Sequence, residues 1–162
     1  MKELRAWRHY CAVAILVVAI GCGGSPAPFT LSKAAVDPNH PCASGSNNAA
    51  YDVHATVTAH NSTQSAVSIS AVSAVMTLAA VRSGWLEPVG SKYTPDKIVV
   101  TPDRIGAGST ATLNLTFSSA CTNLAKTTGS VSYGDYVVSF RFVTSAGTFT
   151  INSGNRHRIV VF

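Results

Sequence analysis

The stretch YDVHATVTAH, residues 51–60, alternates apolar and polar side chains without interruption. Tyr51 and the aliphatic residues at every second position share one face, whereas the other face carries Asp52, His54, Thr56, Thr58 and His60. A repeat of two residues places successive side chains on opposite faces of a strand, which is typical of a strand with one buried face. This stretch therefore predicts a β-sheet that covers a hydrophobic core on one side.

Further strand-like segments follow along the chain. Residues 61–65 are a polar turn, and Asn61-Ser62-Thr63 within it also fits the glycosylation sequon. Residues 67–78 alternate with a slip of phase near Val72, which predicts a bulge or two strands. The pattern is lost over residues 82–96, and shorter strand-like segments lie at residues 98–100, 110–117, 136–143, 148–152 and 157–162. About seven strands without a convincing helix predict an all-β, antiparallel sandwich.

Three features of residues 51–162 are similar to one known domain type. They are the alternating strand with its polar turn and second strand, the segment IGAGS at 105–109 before a strand, and YGDY at 133–136 before another. In these features the chain resembles the immunoglobulin-like domains of bacterial secreted and surface proteins. The resemblance implies a tyrosine corner, with the Tyr136 hydroxyl bonded to a backbone group a few residues upstream. Val138 stands where the antibody-type core cysteine would be, so that disulfide is not implied.

The first 22 residues have the layout of a secretory signal, with basic residues, an apolar run at 11–20 and Gly21-Cys22. The apolar run has roughly a dozen residues, whereas a spanning helix needs about 20. VAIGC at 18–22 resembles the lipobox of bacterial lipoproteins, although Ala19 stands where leucine is commonest. The resemblance implies that Cys22 carries acyl chains such as palmitate, which hold the chain to a membrane. The alternative is an ordinary signal peptide cleaved near Gly21, which leaves Cys22 as a free thiol.

These patterns divide the chain into three parts. We expect a signal peptide at 1–21, a lipid-anchored flexible tether at 22–41 and the sandwich at 42–162. The tether is predicted because residues 25–40 hold three prolines and no sustained period, although residues 29–31 are compatible with a short pairing segment. The expected location is extracytoplasmic, on a bacterial membrane of the cell envelope.

The chain has four cysteines. Cys11 lies in the expected signal and Cys22 is the expected lipid site, which leaves Cys42 and Cys121. In an oxidising compartment this pair predicts one disulfide. Closing a loop between residues 42 and 121 contributes about 4 to 5 kcal/mol in the chain-entropy model. The alternative is two unpaired buried thiols.

The sequence gives little sign of catalysis or of a cofactor. It has no Gly-x-Ser-x-Gly motif, and its acidic residues are scattered. His54 and His60 share a predicted face, but six residues of strand span about 20 Å, too far for one metal ion with ligands about 2 Å away. His40 near Cys42 could bind a metal only if that cysteine were free. We therefore expect no enzyme activity, no metal and no cofactor.

Charge is sparse in this chain. Without the expected signal, 9 of the 12 basic and 6 of the 7 acidic side chains remain. Arg156-His157-Arg158 is the closest basic grouping, and it indicates a solvated strand end or a contact for anionic lipid or polysaccharide. Neither the clustering of charge nor any motif supports nucleic-acid binding.

Trp85 and Leu86 are the residues that the sequence favours for binding. They lie in the long connection at 82–91, whose Gly84, Pro88 and Gly90 indicate an irregular backbone. Long loops are often functional, and tryptophan is enriched in contact patches. The alternative is that Trp85 folds inward and plugs one end of the sandwich.

The sequence therefore favours a non-catalytic, lipid-anchored binding or structural module with a protein or polysaccharide partner of the envelope. The competing hypothesis is a protease inhibitor that uses the loop at 82–91, or a small hydrolase with a site assembled from distant residues.

Overall fold

The computed structural model describes residues 28–43, 45–46, 48–121 and 131–161, and the expected signal peptide, Cys22 and Phe162 lie outside this part. None of the described residues belongs to a helix that could span a membrane. The described part folds into eleven strands: β1 Phe29–Val36, β2 Asn39–Cys42, β3 Ala49–Asn61, β4 Val67–Arg82, β5 Lys92–Tyr93, β6 Ile98–Thr101, β7 Arg104–Ile105, β8 Thr110–Cys121, β9 Ser132–Thr144, β10 Gly147–Asn152 and β11 His157–Val161.

The strands form two sheets. The first sheet has the order β1-β3-β8-β6 and the second the order β2-β11-β9-β4-β5, while β10 also pairs with β9 and β7 with β4. Because β10 and β11 pair with successive parts of β9, they act as one interrupted strand. In immunoglobulin lettering the first sheet is A-B-E-D, and the second is A′-G-F-C with a short C′. The structure confirms the predicted immunoglobulin-like β-sandwich, with more strands than expected because several are only two to five residues long.

Strand β3 contains the alternating stretch from which the fold was predicted. Val53, Val57 and Ala59 are buried, and Asp52 and His54 point to solvent, as the alternation predicted. The strand pairs along nearly its whole length with β8, from Ala49 opposite Cys121 to His60 opposite Thr110. β8 repeats the pattern with Leu113, Leu115 and Phe117 buried.

Aromatic side chains join the two sheets across the core. Phe117 of the first sheet meets Phe140 of the second with ring centroids 6.1 Å apart. Phe29 meets Phe149 with centroids 4.9 Å apart. Each fully buried side chain of this size contributes about 1.5 to 3 kcal/mol through removal of apolar surface from water.

Strands β1 and β2 correct the expected tether at 22–41. β1 pairs with β3 in the first sheet, and β2 then runs parallel to β11 in the second sheet. The register of β1 shifts between Ser32 and Ala35, and Lys33 has a positive φ of 51°. Residues 29–31 pair as the sequence allowed. The irregularity interrupts the two-residue period beyond them, which is why the sequence predicted no longer strand. The sandwich therefore begins at Phe29, which is 1% exposed.

Strand β4 carries the slip that the sequence predicted near Val72. Its register with β9 shifts between Ile69 and Ala71, and again between Leu78 and Ala80. The first irregularity lies next to the predicted position, and it belongs to one long strand with bulges rather than to two strands.

The sandwich has two distinct ends. β1 begins at Phe29 opposite Asn61, the last residue of β3, whereas β3 begins at Ala49 opposite Cys121. We call the end at Phe29 the proximal end and the end at Cys121 the distal end. Thirteen residues of β3 separate them, which is about 40 Å of extended strand.

Candidate functional site at the distal end

A disulfide ties the two sheets together at the distal end. The Sγ atoms of Cys42 and Cys121 are 1.98 Å apart and their Cα atoms 5.7 Å apart. Cys42 ends β2 of the second sheet and Cys121 ends β8 of the first. The structure thus contains the disulfide that the cysteine count predicted. Cys22, the predicted lipid site, lies outside the described residues.

His40 lies beside this disulfide. One of its ring nitrogens and the two sulfurs lie within 4.8 Å of one another, a spacing that metal ligands could have. Since the sulfurs are bonded to each other, neither is a thiolate that could bind a metal. The His40 ring instead stacks on Tyr51, with centroids 3.6 Å apart and planes inclined by 5°.

The prediction that Trp85 is a contact residue of the loop was wrong. The residue is 9% exposed and belongs to the core, with its ring edge toward Tyr136 at a centroid distance of 6.5 Å. Gly134 makes room for it, because a Cβ at that position would lie 2.6 Å from Trp85 Cε2. The inward alternative is therefore the one found, and Trp85 is not a surface contact residue. Leu86 is exposed at 54%, as expected for a contact residue.

Backbone hydrogen bonds fix the shape of the loop between β4 and β5. Leu78 N–H donates to Ser91 O at 2.9 Å, and Gly90 N–H donates to Leu78 O at 2.8 Å. With Trp85 anchored below, the loop turns Leu86 and Val89 outward, and Val89 is 57% exposed. The loop therefore presents two apolar side chains from a defined backbone.

The hydrogen bond of the Tyr136 hydroxyl differs from that of the expected tyrosine corner. Tyr136 is 4% exposed, as expected, but its hydroxyl donates to Glu87 Oε2 at 3.0 Å instead of to upstream backbone. β9 begins at Ser132, so the backbone just upstream is already paired, with β4 on one side and β11 on the other. Burial and the negative charge of Glu87 raise the pKa of Tyr136 above its usual value. The indole N–H of Trp85 offsets part of this rise, although Nε1 makes no hydrogen bond of good geometry with any described residue.

The contact between Tyr136 and Glu87 supports a stability prediction. Tyr136→Phe leaves the half-buried Glu87 carboxylate without this donor, so we expect the free energy of unfolding to fall by about 1 to 3 kcal/mol. Urea unfolding of Tyr136→Phe, Glu87→Ala and the double variant measures the coupling between the two side chains. Additive losses in the double variant would show that the hydrogen bond contributes nothing.

A cavity of about 160 Å³ opens beside this contact. It lies between β8 of the first sheet and β4, β5 and β9 of the second. Its lining includes the apolar side chains of Met76 and Ile159 and the polar side chains of Glu87, Tyr136 and Tyr93. The Tyr93 hydroxyl donates to Ser118 O at 3.3 Å, which bridges the sheets at the side of the cavity.

His157 is a buried histidine of β11, opposite Tyr136 of β9. It is 1% exposed, its Nδ1 lies 2.7 Å from Asp37 O, and its Nε2 lies 2.9 Å from the Tyr51 hydroxyl. A carbonyl only accepts, so Nδ1 carries the proton and Nε2 accepts from Tyr51. Burial lowers the pKa of His157, and burial raises the pKa of Tyr51 to about 12.

The neutral state of His157 predicts how stability depends on pH. Its folded pKa is below the unfolded value of about 6.5, so the unfolded chain binds more protons as the pH falls below that value. We expect the free energy of unfolding to decrease from pH 7 toward pH 5, by at most about 1.4 kcal/mol per pH unit for this one proton. His157→Asn should flatten the slope in urea titrations, in part only, because burial also lowers the pKa of His40. An unchanged slope would contradict the assignment.

In the basic grouping at 156–158, both arginines contact side chains of β9. Arg158 Nε and Nη2 donate to the two oxygens of Asp135 at 2.6 and 2.9 Å. The Arg158 guanidinium also lies 3.9 Å from the centre of the Tyr133 ring, and Arg156 Nη1 is 3.9 Å from Asp135. With His157 buried, this segment is neither the fully solvated strand end that was expected nor a free basic patch for anionic ligands.

Two exposed histidine contacts on the first sheet test the hydrolase alternative. His54 Nδ1 lies 3.0 Å from Asp37 Oδ2, and His60 Nδ1 lies 2.9 Å from Thr110 Oγ1. A nucleophilic triad requires a hydroxyl, a base and an orienting acid in one contact chain. Here the acid, Asp37, contacts His54, whereas the hydroxyl, that of Thr110, contacts His60. The two histidines are about 20 Å apart along β3. The described residues therefore do not assemble these groups into a triad.

Asn61 is a structural residue of the proximal end. It is 0% exposed, and its Nδ2 donates to the carbonyls of Ser65, Ile105 and Gly106 at 2.8 to 3.2 Å. Its Oδ1 accepts from Thr63 N–H at 3.0 Å. The sequon at this position is therefore the turn that was expected, with its amide nitrogen engaged inside the fold.

Comparisons with known proteins locate no family. No protein-family model matches the chain, and no curated protein matches it. Among solved structures, it is similar to AggA, the major subunit of aggregative adherence fimbriae type I from Escherichia coli, with 12% identity, coverage of 83% of this chain and 95% of that chain, and a TM-score of 0.38. A PapD-like domain of human CEP192 has 12% identity, coverage of 94% and 96%, and a TM-score of 0.31. The CooA pilin subunit from enterotoxigenic Escherichia coli has 12% identity, coverage of 80% and 97%, and a TM-score of 0.28. At these values the likenesses carry no conclusion about function, and the chain is described by its own strand order as an immunoglobulin-like sandwich.

Proposed function

We propose that the chain is a non-catalytic extracytoplasmic module, held to a membrane by acyl chains on Cys22, that presents its distal end to a partner of the envelope. The single observation that carries this proposal is the placement of the first strand and of the exposed loop at opposite ends of the sandwich. The first strand begins at the proximal end, and the loop with Leu86 and Val89 lies at the other end, about 40 Å away.

The short distance from Cys22 to the sandwich supports this orientation. Since β1 begins at Phe29, only residues 22–28 remain as a tether, and a fully extended chain of that length spans at most about 25 Å. This is less than the length of β3, so an anchor at Cys22 favours the proximal end near the membrane and the distal end away from it.

Exposed apolar side chains favour the distal half as the contact surface. In the described residues the exposed large apolar side chains are Val81, Leu86, Val89, Tyr93, Val99 and Val131, and all except Val99 lie toward the distal end. Val131 precedes β9 and Val81 lies near the end of β4, so both lie near this loop. Clustered apolar exposure rimmed by polar residues is typical of a protein contact.

Lipid labelling tests the anchor. Labelled palmitate should enter the wild-type protein and not a Cys22→Ser variant, which should move from the membrane to the soluble fraction. A Cys22→Ser variant that stayed equally membrane-bound would overturn the anchoring.

Crosslinking in native envelopes tests the contact surface. We expect a Leu86→Ser, Val89→Ser variant to lose a partner that the wild type captures. Val99→Ser, which changes a similarly exposed side chain on β6, should capture that partner normally. Equal capture by all three would move the contact away from this loop. Turnover of an ester or peptide by the pure chain, or its inhibition of a protease, would replace this proposal with the hydrolase or inhibitor alternative.

A further inference from the structure

The distal cavity has the size of a single side chain. Its volume is about 160 Å³. A protein cavity of about 150 Å³ holds a molecule as large as benzene, whereas pockets for drug-sized ligands measure about 300 to 1,000 Å³. The cavity therefore suits one inserted group of a larger partner better than a free cofactor or metabolite.

The lining of the cavity is mixed in polarity. Met76 and Ile159 supply hydrocarbon, and both belong to the buried core. Glu87 and the phenol groups of Tyr93 and Tyr136 supply the polar part, and Tyr93 is the cross-strand partner of Met76. A group that suits this lining has an apolar stem and a polar tip.

Glu87 determines the charge of that tip. Among the described residues that line the cavity, it is the only charged one. Its Oε2 accepts the Tyr136 hydroxyl at 3.0 Å, which orients the carboxylate. None of the ion pairs among the described residues involves Glu87, so no lysine, arginine or histidine of this part neutralises it. A carboxylate in a partly desolvated site attracts cations and repels anions.

The phenol rings add to the preference for a cation. Ammonium and guanidinium groups are attracted to aromatic faces, and lysine places its charge at the end of a flexible hydrocarbon stem. Tyr93 is 40% exposed at the mouth, so a group from outside can reach it.

We propose that this cavity binds a lysine side chain of a partner protein, with the ammonium at Glu87 and the methylene stem against Met76 and Ile159. The inference rests on the proposed function, because it specifies what the distal end recognises. In this arrangement Leu86 and Val89 of the neighbouring loop contact the partner's surface around the inserted lysine.

The test uses NMR of the full chain in detergent micelles with methyl-labelled methionine. The chain has only two methionines, so the Met76 methyl signal is a direct reporter of the cavity. The probes are N-acetyl-lysine methylamide and its norleucine counterpart, which keeps a hydrocarbon side chain and lacks the charge. We expect the lysine probe to shift the Met76 signal saturably and the norleucine probe to bind at least about tenfold more weakly.

Matched variants separate charge from shape. Glu87→Gln keeps the size of the side chain and an oxygen that can accept from Tyr136, and it should weaken the lysine probe about tenfold. Asp103→Asn, which removes an exposed carboxylate at the proximal end, should leave binding unchanged. Thermal unfolding of each variant shows whether it remains folded, and Tyr136→Phe supplies a second, smaller perturbation of the same carboxylate.

Three results would overturn the inference: no shift of Met76, equal binding of both probes, or undiminished lysine binding by folded Glu87→Gln. Its failure is distinct from failure of the proposed function. A partner captured through Leu86 and Val89 without any response to the lysine probe overturns the cavity's role and leaves the distal contact in place. Lysine binding without partner capture supports the cavity's chemistry and overturns the contact proposal.

Discussion

Replacing Cys42 and Cys121 together with alanine is expected to lower the free energy of unfolding by about 4 to 5 kcal/mol. The disulfide closes a loop with a sequence separation of 79 residues, and the chain-entropy model gives a loss of this size when such a loop is released in the unfolded state. For a domain of this length that corresponds to a melting temperature lower by roughly 10 to 20 °C. Urea and thermal unfolding of both forms measure the difference.

Reduction provides the control for that comparison. A reductant should lower the free energy of unfolding of the wild type, because it cleaves the disulfide. It should leave that of the double alanine variant unchanged, because the variant has no bond to reduce. A loss below about 1 kcal/mol would mean that native strain cancels most of the entropic gain. Cys42→Ala alone is unsuitable as a control, since it leaves a free thiol at Cys121.

Trp85→Ala is expected to destabilise the sandwich by about 3 kcal/mol or more, the usual range for removing a large aromatic side chain from a core. Trp85 is 9% exposed and fills the space above Gly134. Its Nε1 has no hydrogen-bond partner among the described residues, so the loss is one of packing. Leu86→Ala, at the neighbouring exposed position, should change stability by less than about 0.5 kcal/mol.

Gly134→Ala tests the same contact from the other side. The added Cβ would lie 2.6 Å from Trp85 Cε2 and 3.0 Å from Leu78 Cδ1, so the ring must move. We expect a cost of about 1 to 3 kcal/mol from overpacking. In a Trp85→Ala background the alanine at 134 should cost much less, and this coupling is the measurement that identifies the contact. Purely additive costs would show that Trp85 does not occupy the space above Gly134.

The strands with regular periods could be predicted from the sequence. β3 and β8 each have one face on the core and one in solvent, so their alternation carries the burial pattern directly. The cysteine pair was also predictable, because few cysteines remained after the signal and lipid site were assigned. In both cases the information is local or follows from counting residues.

The missed features depend on contacts between distant positions. Tyr136 and Glu87 are 49 positions apart, and neither residue carries a local signal that names the other. Trp85 is buried because Gly134 lacks a side chain, and a glycine before a strand suggests a turn as readily as a space for an indole. Beyond the short segment at 29–31, β1 was missed because the register shift between Ser32 and Ala35 hides its period.

The change of sheet between β1 and β2 has a mechanical consequence. Tension between a membrane anchor and a partner held at the distal loop would act along β1, which lies antiparallel to β3. Many hydrogen bonds of that pairing would then be loaded together in shear rather than opened one after another. If β1 and β2 were pulled away, force from the anchor would reach Cys42, which is covalently joined to Cys121 at the end of β8. Because Leu86 and Val89 lie between the two cysteines, the disulfide would divide that force between two segments of chain, one running from Cys42 and one from Cys121, that reach the loop from opposite sides.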